Sequence, residues 1–197
     1  MATCLAFDTA QGWCAGALIG DGQASSRIDQ MARGQVEHLM PMLEEMLAEA
    51  GLGWRDLDVI GVGIGPGNFT GIRISVAAAR GLAMALEIPA IGVSAFEAAA
   101  SGPLPRWVAI EAPRDQVYLQ RLDASGHGAP ALVGASALTA LDAPLTRLAD
   151  STPEARITRI GELALARRHQ PYARPAPLYV RPADAAPARD APPVILA

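Results

Sequence analysis

The chain has no lysine, so all 16 of its basic side chains are arginine. A Walker A phosphate-binding loop needs a lysine before its Ser/Thr, and this class of nucleotide site is therefore excluded. The dinucleotide-binding pattern Gly-x-Gly-x-x-Gly is also missing, because it meets Asn68 when started at Gly63 and Thr70 when started at Gly65. Any phosphate site in this chain must use another architecture.

Cysteine and histidine are scarce. Cys4 and Cys14 are too few for a disulfide framework, and both lie in apolar runs where a free cysteine behaves as a small hydrophobe. The histidines, His38, His127 and His169, stand in unrelated segments, and no two have the i, i+4 spacing of a helical zinc site. These absences predict no bound metal and a reducing compartment.

The chain also lacks a surplus of positive charge and an uninterrupted apolar segment. Its formal net charge is −4, whereas nucleic-acid-binding domains usually carry a basic patch. The longest apolar stretch is interrupted by Arg73, Arg80 and Glu87, and the opening residues lack the basic region of a signal peptide. We expect a cytoplasmic protein that stays out of the membrane and binds nucleic acid poorly on its own.

Apolar residues are plentiful, at 51% of 197 residues, so the chain can form a packed globule. Three strands with hairpin links, followed by a strand–helix–strand crossover, are the order of an RNase H-like lobe, an α/β mixed sheet flanked by helices. The elements that follow this order are strands 3–7, 13–19 and 24–30, helix 35–50, strand 59–64, helix 70–86 and strand 90–93.

Beyond residue 100 the periodicity weakens. Residues 101–105 read as a linker, and two strands and a helix follow, at 107–110, 117–122 and 154–169. The pattern predicts a division into three parts: an N-terminal lobe over 1–100, a smaller second lobe over 101–181, and a Pro/Ala-rich tail over 182–197 that is extended or mobile.

The glycine-rich stretch Gly-Pro-Gly-Asn-Phe-Thr over 65–70 connects a buried-type strand to a helix. Asn68 or Thr70 can cap that helix, whose free amides and dipole would suit an anion. Any strand-to-helix turn this tight also needs glycine for steric reasons, so a purely structural interpretation remains open.

The helix predicted over 70–86 is apolar on two sides. Its core-facing stripe is Ile72, Val76, Ala79, Leu82, Ala83 and Leu86. Its opposite side carries Ile74, Ala77, Ala78, Gly81, Met84 and Ala85. Such a helix is covered either by its own second lobe or by a partner, and the thin second lobe favours a partner.

The helix over 35–50 is expected to form the other half of this partner surface. Its core stripe is Val36, Leu39, Met40, Leu43, Met46, Leu47 and Ala50. The interface candidates on this helix are His38, Met42 and Glu45.

Several segments resemble the TsaB (YeaZ) family in order and spacing. Residues 65–74 are similar to its Gly-Pro-Gly-Ser-Phe-Thr-Gly-Leu-Arg segment, 5–10 to its first strand and Asp-Thr turn, and 34–41 to its Gly-x-x-His-Ser-Glu-x-Leu-x-Pro helix. Residues 177–181 fit its Pro-x-Tyr-x-Arg. Residues 108–118 resemble Val-x-Asp-Ala-Arg-Arg-Gly-x-Val-Tyr, with departures at Glu111, Pro113 and Asp115.

This resemblance implies the fold of actin-like ATPases, which is RNase H-like, and a non-catalytic role. The family acts with TsaD, a paralogue that transfers a threonylcarbamoyl group to N6 of the adenosine beside the anticodon of certain tRNAs, and with the ATPase TsaE. The implied partners are a TsaD-like paralogue and a TsaE-like ATPase, with a homodimer when the paralogue is absent. Contact with tRNA is expected only through the complex.

The resemblance also places candidate nucleotide residues. In actin-like ATPases an aspartate at the end of the first strand lies near the phosphates or the metal, although an Asx turn explains Asp8 equally well. We expect no cofactor in the isolated subunit and ATP only within the complex. The candidate nucleotide-binding residues are Asp8, Thr9, Gly65, Gly67, Asn68 and Thr70.

Two positions argue against independent catalysis. After the strand that corresponds to 90–93, the catalytic paralogue carries a metal-binding His-x-x-x-His pair, where this chain has Ser94 and Ala98. No Ser/His/Asp or Cys/His set is evident, so no catalytic residue is predicted. The alternatives are a self-sufficient actin-like enzyme, such as a phosphotransferase or metalloprotease, and a dimeric chaperone-like module.

Overall fold

A computed structural model of the chain describes residues 2–20 and 22–180, which contain two five-stranded sheets. The strands of the first sheet are β1 (Cys4–Asp8), β2 (Trp13–Gly20), β3 (Gln23–Gln30), β4 (Val59–Gly63) and β5 (Ala90–Val93). Their order is β3-β2-β1-β4-β5; β1, β2 and β3 pair antiparallel, and β4 and β5 run parallel to β1. This is the predicted RNase H-like order.

Helices α1 (Gln35–Glu49) and α2 (Phe69–Leu86) cover one face of this sheet. Both begin and end within a residue of their predicted bounds. Their buried side chains pack against alternate residues of the strands, such as Leu5, Phe7 and Ile60. The crossover unit predicted from the sequence is therefore confirmed.

Helix α4 (Pro153–Arg167) covers the opposite face of the same sheet. Its buried residues Ile157, Ile160 and Ala164 pack against β1, β2 and β4. The sequence placed this helix in the second lobe, within 101–181, and its packing departs from that expectation. The reason is that the first sheet is apolar on both faces, and a second layer must bury the face that α1 and α2 leave open.

The strands of the second sheet are β6 (Arg106–Ala112), β7 (Gln116–Asp123), β8 (Gly126–His127), β9 (Ala131–Gly134) and β10 (Leu145–Arg147). Their order is β10-β6-β7-β8, and β9 pairs with β7. The two strands predicted in this region, β6 and β7, are confirmed, and both are longer than expected. Short 3-10 helices lie at Trp54–Asp56, Ala135–Ala140 and Leu148–Asp150.

Helix α3 (Ala95–Ala99) and a C-terminal segment, residues 171–180, pack beside the second sheet. We call residues 171–180 the strap. It has no regular helix or strand, but the Leu178 amide donates to the Ile64 carbonyl at 2.8 Å, and Leu178 packs near Phe96. The tail predicted over 182–197 lies outside the described residues.

Helix α1 begins at Gln35 and continues through Pro41 without ending there. In the described residues α2 is the one helix long and apolar enough to cross a bilayer, and five of its residues are buried against the sheet. A helix that buries one stripe of residues against a sheet in this way is typical of a helix at the surface of a globular domain.

Candidate functional site

Asp8 is the last residue of β1, and its carboxylate closes the turn that follows. Oδ1 accepts a hydrogen bond from the Ala10 amide at 2.8 Å, which is an Asx turn. Desolvation raises the pKa of the Asp8 carboxyl, and the Ala10 amide and the positive charge of Arg156 act in the opposite direction. The structural interpretation of Asp8 therefore has direct geometric support.

A small cavity lies beside Asp8, between the ends of β1 and β4 and the start of α4. Gly65 borders it, and Trp13, Leu148 and Arg156 help to close it. Its volume is about 20 Å³, which is room for about one water molecule. A nucleotide would fit beside Asp8 only if the start of α4 and the residues before it moved away.

Arg156 holds this closing segment together. Its guanidinium donates to the Leu148 carbonyl at 3.0 Å and also to the Ser151 carbonyl, and it lies 5.5 Å from the ring of Trp13. Arg156 was not among the site residues predicted from the sequence. No signal linked it to Asp8, because α4 was assigned to the other lobe.

The glycine turn packs tightly against the turn that follows β1. A Cβ atom on Gly67 would overlap the Ala10 carbonyl oxygen, and one on Gly71 would overlap that of Thr9. The Asn68 amide donates to the Ala10 carbonyl at 2.7 Å, and the Thr9 hydroxyl donates to the Gly71 carbonyl at 2.6 Å. Asn68 also caps α2 by accepting from the Gly71 amide at 2.9 Å. The glycines thus permit a close approach of two backbone segments.

The structure brings only part of the candidate nucleotide set together. Asp8 and Gly65 border the same cavity. Two amides at the start of α2, those of Asn68 and Gly71, already have partners within the protein. Nucleotide binding by this set stays a prediction. Thr9, Gly67 and Asn68 belong to the contact between the glycine turn and the turn after β1, and Thr70 is exposed on the first turn of α2.

The exposed side of α1 differs from the expected one. Met42, predicted at the interface, is 1% exposed and packs in the core, whereas Val36, predicted in the core, is 60% exposed. Gly16 of β2 explains the difference: a Cβ atom there would lie 2.7 Å from Met46 Sδ and 3.2 Å from Met42 Cε. The missing side chain leaves a hollow on the sheet, and α1 turns its methionines into it.

The other two interface candidates on α1 belong to a chain of polar contacts with β3. His38 Nε2 lies 2.6 Å from Asp29 Oδ2, and Arg27 reaches both Asp29, at 3.2 Å, and Glu45, at 2.8 Å. Desolvation works against ionisation of Asp29, but the hydrogen bonds from His38 and Arg27 outweigh it and lower the pKa of this carboxyl. His38 and Glu45 therefore lie on the β3 side of α1.

Helix α2 retains an exposed apolar surface. Met84 is 81% exposed, and a Cβ atom on Gly81 would have nothing within 4 Å. Two residues predicted on this surface, Ile74 and Ala78, are half-buried because they pack against the core between α2 and α1. The exposed members of the predicted set are Ala77, Gly81, Met84 and Ala85.

Comparisons with known proteins agree with this architecture. The family model described as TsaD, tRNA N6-adenosine threonylcarbamoyltransferase, matches residues 29–151. The tRNA threonylcarbamoyladenosine biosynthesis protein TsaB is 38% identical over 98 residues in Escherichia coli and 32% identical over 126 residues in Haemophilus influenzae. The structure of YeaZ from Pseudomonas aeruginosa superposes with a TM-score of 0.68 at 27% identity, covering 91% of this chain and 100% of that one.

The chain belongs to the TsaB (YeaZ) family. Its actin-like, RNase H-like fold is that of the family. The alignments to the E. coli and H. influenzae proteins cover 50% and 61% of this chain and 42% and 53% of those proteins, so the chain spans about half the length of the curated relatives it matches.

In this TsaB-family chain the segment after β5 is held by structural contacts. Ser94 Oγ accepts from the Glu97 amide at 3.2 Å and caps α3, and Ala98 is buried in the core beneath α4. The Glu97 carboxylate lies 2.7 Å from Arg167 Nη2. Desolvation opposes ionisation of Glu97, yet the contacts from Ser94 and Arg167 lower the pKa of this carboxyl. Within residues 2–20 and 22–180, no three His, Cys, Asp or Glu side chains come close enough to share a metal ion.

Proposed function

We propose that this chain is a non-catalytic subunit of the machinery that makes threonylcarbamoyladenosine in tRNA, and that it acts by binding a TsaD-like catalytic paralogue. Membership of the TsaB family supports the pathway, since the named relatives are tRNA threonylcarbamoyladenosine biosynthesis proteins. The side chains at Ser94 and Ala98 support the non-catalytic role, because neither can ligate a metal as an imidazole does.

The observation that carries the proposal is an exposed surface of small residues on α2. We call Ala77, Gly81 and Ala85, with the half-buried Ile74 and Ala78 beside them, the small-residue face. At about 100° per residue these five residues share one flank of the helix, on the side of α1. Small side chains let a second helix approach closely, and an exposed apolar face of this kind suits association.

The exposed charges of α1 and α2 have opposite signs, so the surface that these two helices form is acidic on one side and basic on the other. Helix α2 carries Arg73 and Arg80 and no acidic residue. Helix α1 carries no lysine or arginine, and its exposed acidic residues are Glu37, Glu44, Glu45 and Glu49. A two-fold arrangement would bring α1 of one molecule near α2 of the other, so that opposite charges meet. Either the paralogue or a second copy of this chain fits that arrangement.

The remaining partners follow from the same proposal. A TsaE-like ATPase would join the pair, ATP would be held only in the assembled complex, and tRNA would be contacted through that complex. The cavity of about 20 Å³ beside Asp8 supports this order of events for ATP, because a nucleotide needs more space than the isolated chain offers.

The test is a single charge on the small-residue face. Gly81→Glu places a carboxylate where a helix from the paralogue would pack, and a buried unpaired charge is costly. We expect association with the paralogue to fall by about 100-fold or more. Gly81→Ala is the matched control, because it makes the same backbone change without the charge. Unchanged association of Gly81→Glu, measured by analytical ultracentrifugation of the mixed proteins, would contradict the proposal.

A self-sufficient actin-like enzyme is the second candidate, and one observation favours it: Asp8 and Gly65 border the same cavity. Isothermal calorimetry with ATP and a phosphate-release assay on the pure chain separate the two. Micromolar affinity that is lost in Asp8→Ala, together with turnover, would favour the enzyme. Weak or absent binding by the pure chain is what the subunit proposal expects.

A further inference from the structure

Helix α2 has a second exposed flank that the small-residue face does not include. Phe69, Arg73, Arg80 and Met84 fall within a sector of about 60° of the helix. This sector faces the strap, because Arg73 Nε donates to the Tyr179 hydroxyl at 2.9 Å. We call these four residues, together with Tyr172, Arg174 and Tyr179 of the strap, the arginine–aromatic stripe.

At the start of α2 the stripe presents stacked rings. The centroids of Phe69 and Tyr179 are 4.8 Å apart with 28° between the ring planes, and the Arg73 guanidinium carbon lies 3.8 Å from the Phe69 centroid. The two aromatic residues are 38% and 40% exposed. Planar groups that are already ordered in this way lose little freedom when another planar group stacks on them.

Near the end of α2 the stripe becomes a groove. Arg80, Met84 and Gly81, where the stripe borders the small-residue face, form its helix side, and Tyr172, Arg174 and Pro175 form its strap side, around a volume of about 410 Å³. Met84 and Tyr172 are 81% and 51% exposed. The groove begins about 16 Å along the helix from the stacked rings, because Arg80 follows Phe69 by 11 residues at a rise of about 1.5 Å per residue. The stripe therefore offers two aromatic positions, each with arginine beside it.

The arginines of the stripe lack acidic partners within the described residues. None of Arg73, Arg80 and Arg174 has a carboxylate within 4.0 Å. By contrast, five arginines elsewhere pair with carboxylates: Arg27, Arg121, Arg147, Arg159 and Arg167. Three arginines without a carboxylate partner among the described residues thus lie along one narrow surface of a chain whose formal net charge is −4.

We infer that the arginine–aromatic stripe binds an unpaired, single-stranded segment of RNA, with the arginines on phosphates and the rings on bases. Stacking on aromatic side chains and salt-dependent phosphate contacts are the two features of single-strand recognition. An acidic protein segment would pair with the arginines but would leave the exposed rings of Tyr172 and Tyr179 unused. The identification of the RNA as tRNA rests on the proposed function.

Three phosphate contacts make binding weak and strongly salt-dependent. We expect the isolated full chain to bind a labelled single-stranded oligoribonucleotide only at low salt, with a log–log salt slope of about −2. Replacing Arg73, Arg80 and Arg174 together by Gln should lower the affinity about tenfold or more at about 50 mM salt. Tyr179→Leu should lower it less, and Tyr179→Phe, which keeps the ring, should leave it unchanged.

The matched control removes the same charge elsewhere. Arg33, Arg55 and Arg114 are exposed and also have no carboxylate partner within the described residues, and their triple Gln variant should retain most of the RNA affinity. Equal losses in the two triple variants would overturn the inference, because net charge alone would then explain binding. Duplex RNA bound as well as the single strand, or a polyglutamate peptide bound more tightly than RNA, would overturn it too.

The inference and the proposed function fail in different ways. If the stripe is an RNA site, an Arg174→Gln/Tyr179→Leu variant, which leaves α2 and its arginines intact, keeps its affinity for the paralogue while the assembled complex loses tRNA affinity. Loss of paralogue binding in that variant would make the stripe a protein interface and overturn the inference alone. Failure of the proposed function would instead appear as full paralogue binding by Gly81→Glu.

Discussion

Gly71 and Gly81 lie on the same helix and meet opposite surroundings. Gly71, on the inner side of α2, has no room for a Cβ atom because the Thr9 carbonyl occupies that space, whereas Gly81, on the outer side, faces open space. The start of α2 therefore packs directly against the turn that follows Asp8. The outer side keeps small and apolar residues that nothing in the described chain covers, which is why we place association there.

The largest expected effect tests the inner side. Gly71→Ala should lower the free energy of unfolding by about 4 kcal/mol, more than the usual overpacking cost of about 1–3 kcal/mol, because the new methyl group meets backbone. Gly81→Ala in the same helix should instead raise it by about 0.5–1 kcal/mol, since alanine is the better helix former. Urea denaturation of both variants checks this comparison. Equal effects would mean that the two glycines do not differ as described.

The next effect compares two methionines. Met42→Ala should lower the free energy of unfolding by about 3 kcal/mol, because it leaves a cavity over Gly16. Met84→Ala should change it by no more than about 0.5 kcal/mol, since Met84 is 81% exposed. The same denaturation measurement applies. A small effect of Met42→Ala would mean that this residue is not buried in the core, and would favour the interface position predicted from the sequence.

A smaller effect concerns the pH dependence of stability. The pKa of Asp8 is raised in the folded state, so the folded chain binds its proton more tightly, and stability falls as pH rises from about 4 through the folded pKa. Asp8→Asn keeps the acceptor for the Ala10 amide and removes this loss, so the stability of the variant relative to the wild type should rise between acid and neutral pH. Thermal melts across this range provide the measurement.

Glu97 is a control for that experiment, because folding shifts its pKa in the opposite direction to that of Asp8. Its pKa is lowered in the folded state, so its contribution is present above the unfolded pKa of about 4.3 and is lost as pH falls through the folded pKa. Glu97→Gln should therefore be most destabilising at neutral pH. If the stability changes caused by Asp8→Asn and Glu97→Gln varied with pH in the same direction, the description of Asp8 as a desolvated carboxyl beside the small cavity would be wrong.

The smallest expected effect on the monomer is that of Gly81→Glu. The charge lies in open space, so the free energy of unfolding should stay within about 0.5 kcal/mol of that of Gly81→Ala. Differential scanning fluorimetry of the two variants is sufficient. A large loss of stability would mean that this flank is internal core, and the association surface would then have to lie elsewhere.

Much of the first lobe could be predicted from local pattern. Period-two and period-3.6 apolar spacing set strands β1 to β5 and helices α1 and α2 within a residue or two, because each buries a face whose period matches its own geometry. The helix rotation could not be predicted. Met42 is buried and Val36 is exposed, the reverse of the prediction, because Gly16 on β2 leaves a hollow that the methionines of α1 fill.

The sequence by itself determined the succession of strands and helices in the first lobe, the absence of a Walker loop, and an α2 that is apolar on two sides. Only the tertiary structure decided that α4 covers the back of the first sheet, that Arg156 closes the space beside Asp8, and that the strap brings Tyr179 onto Phe69 and Arg73. Each of these contacts joins residues far apart in the chain. Local periodicity reports which face of an element is apolar, but which distant surface covers that face depends on packing among whole layers.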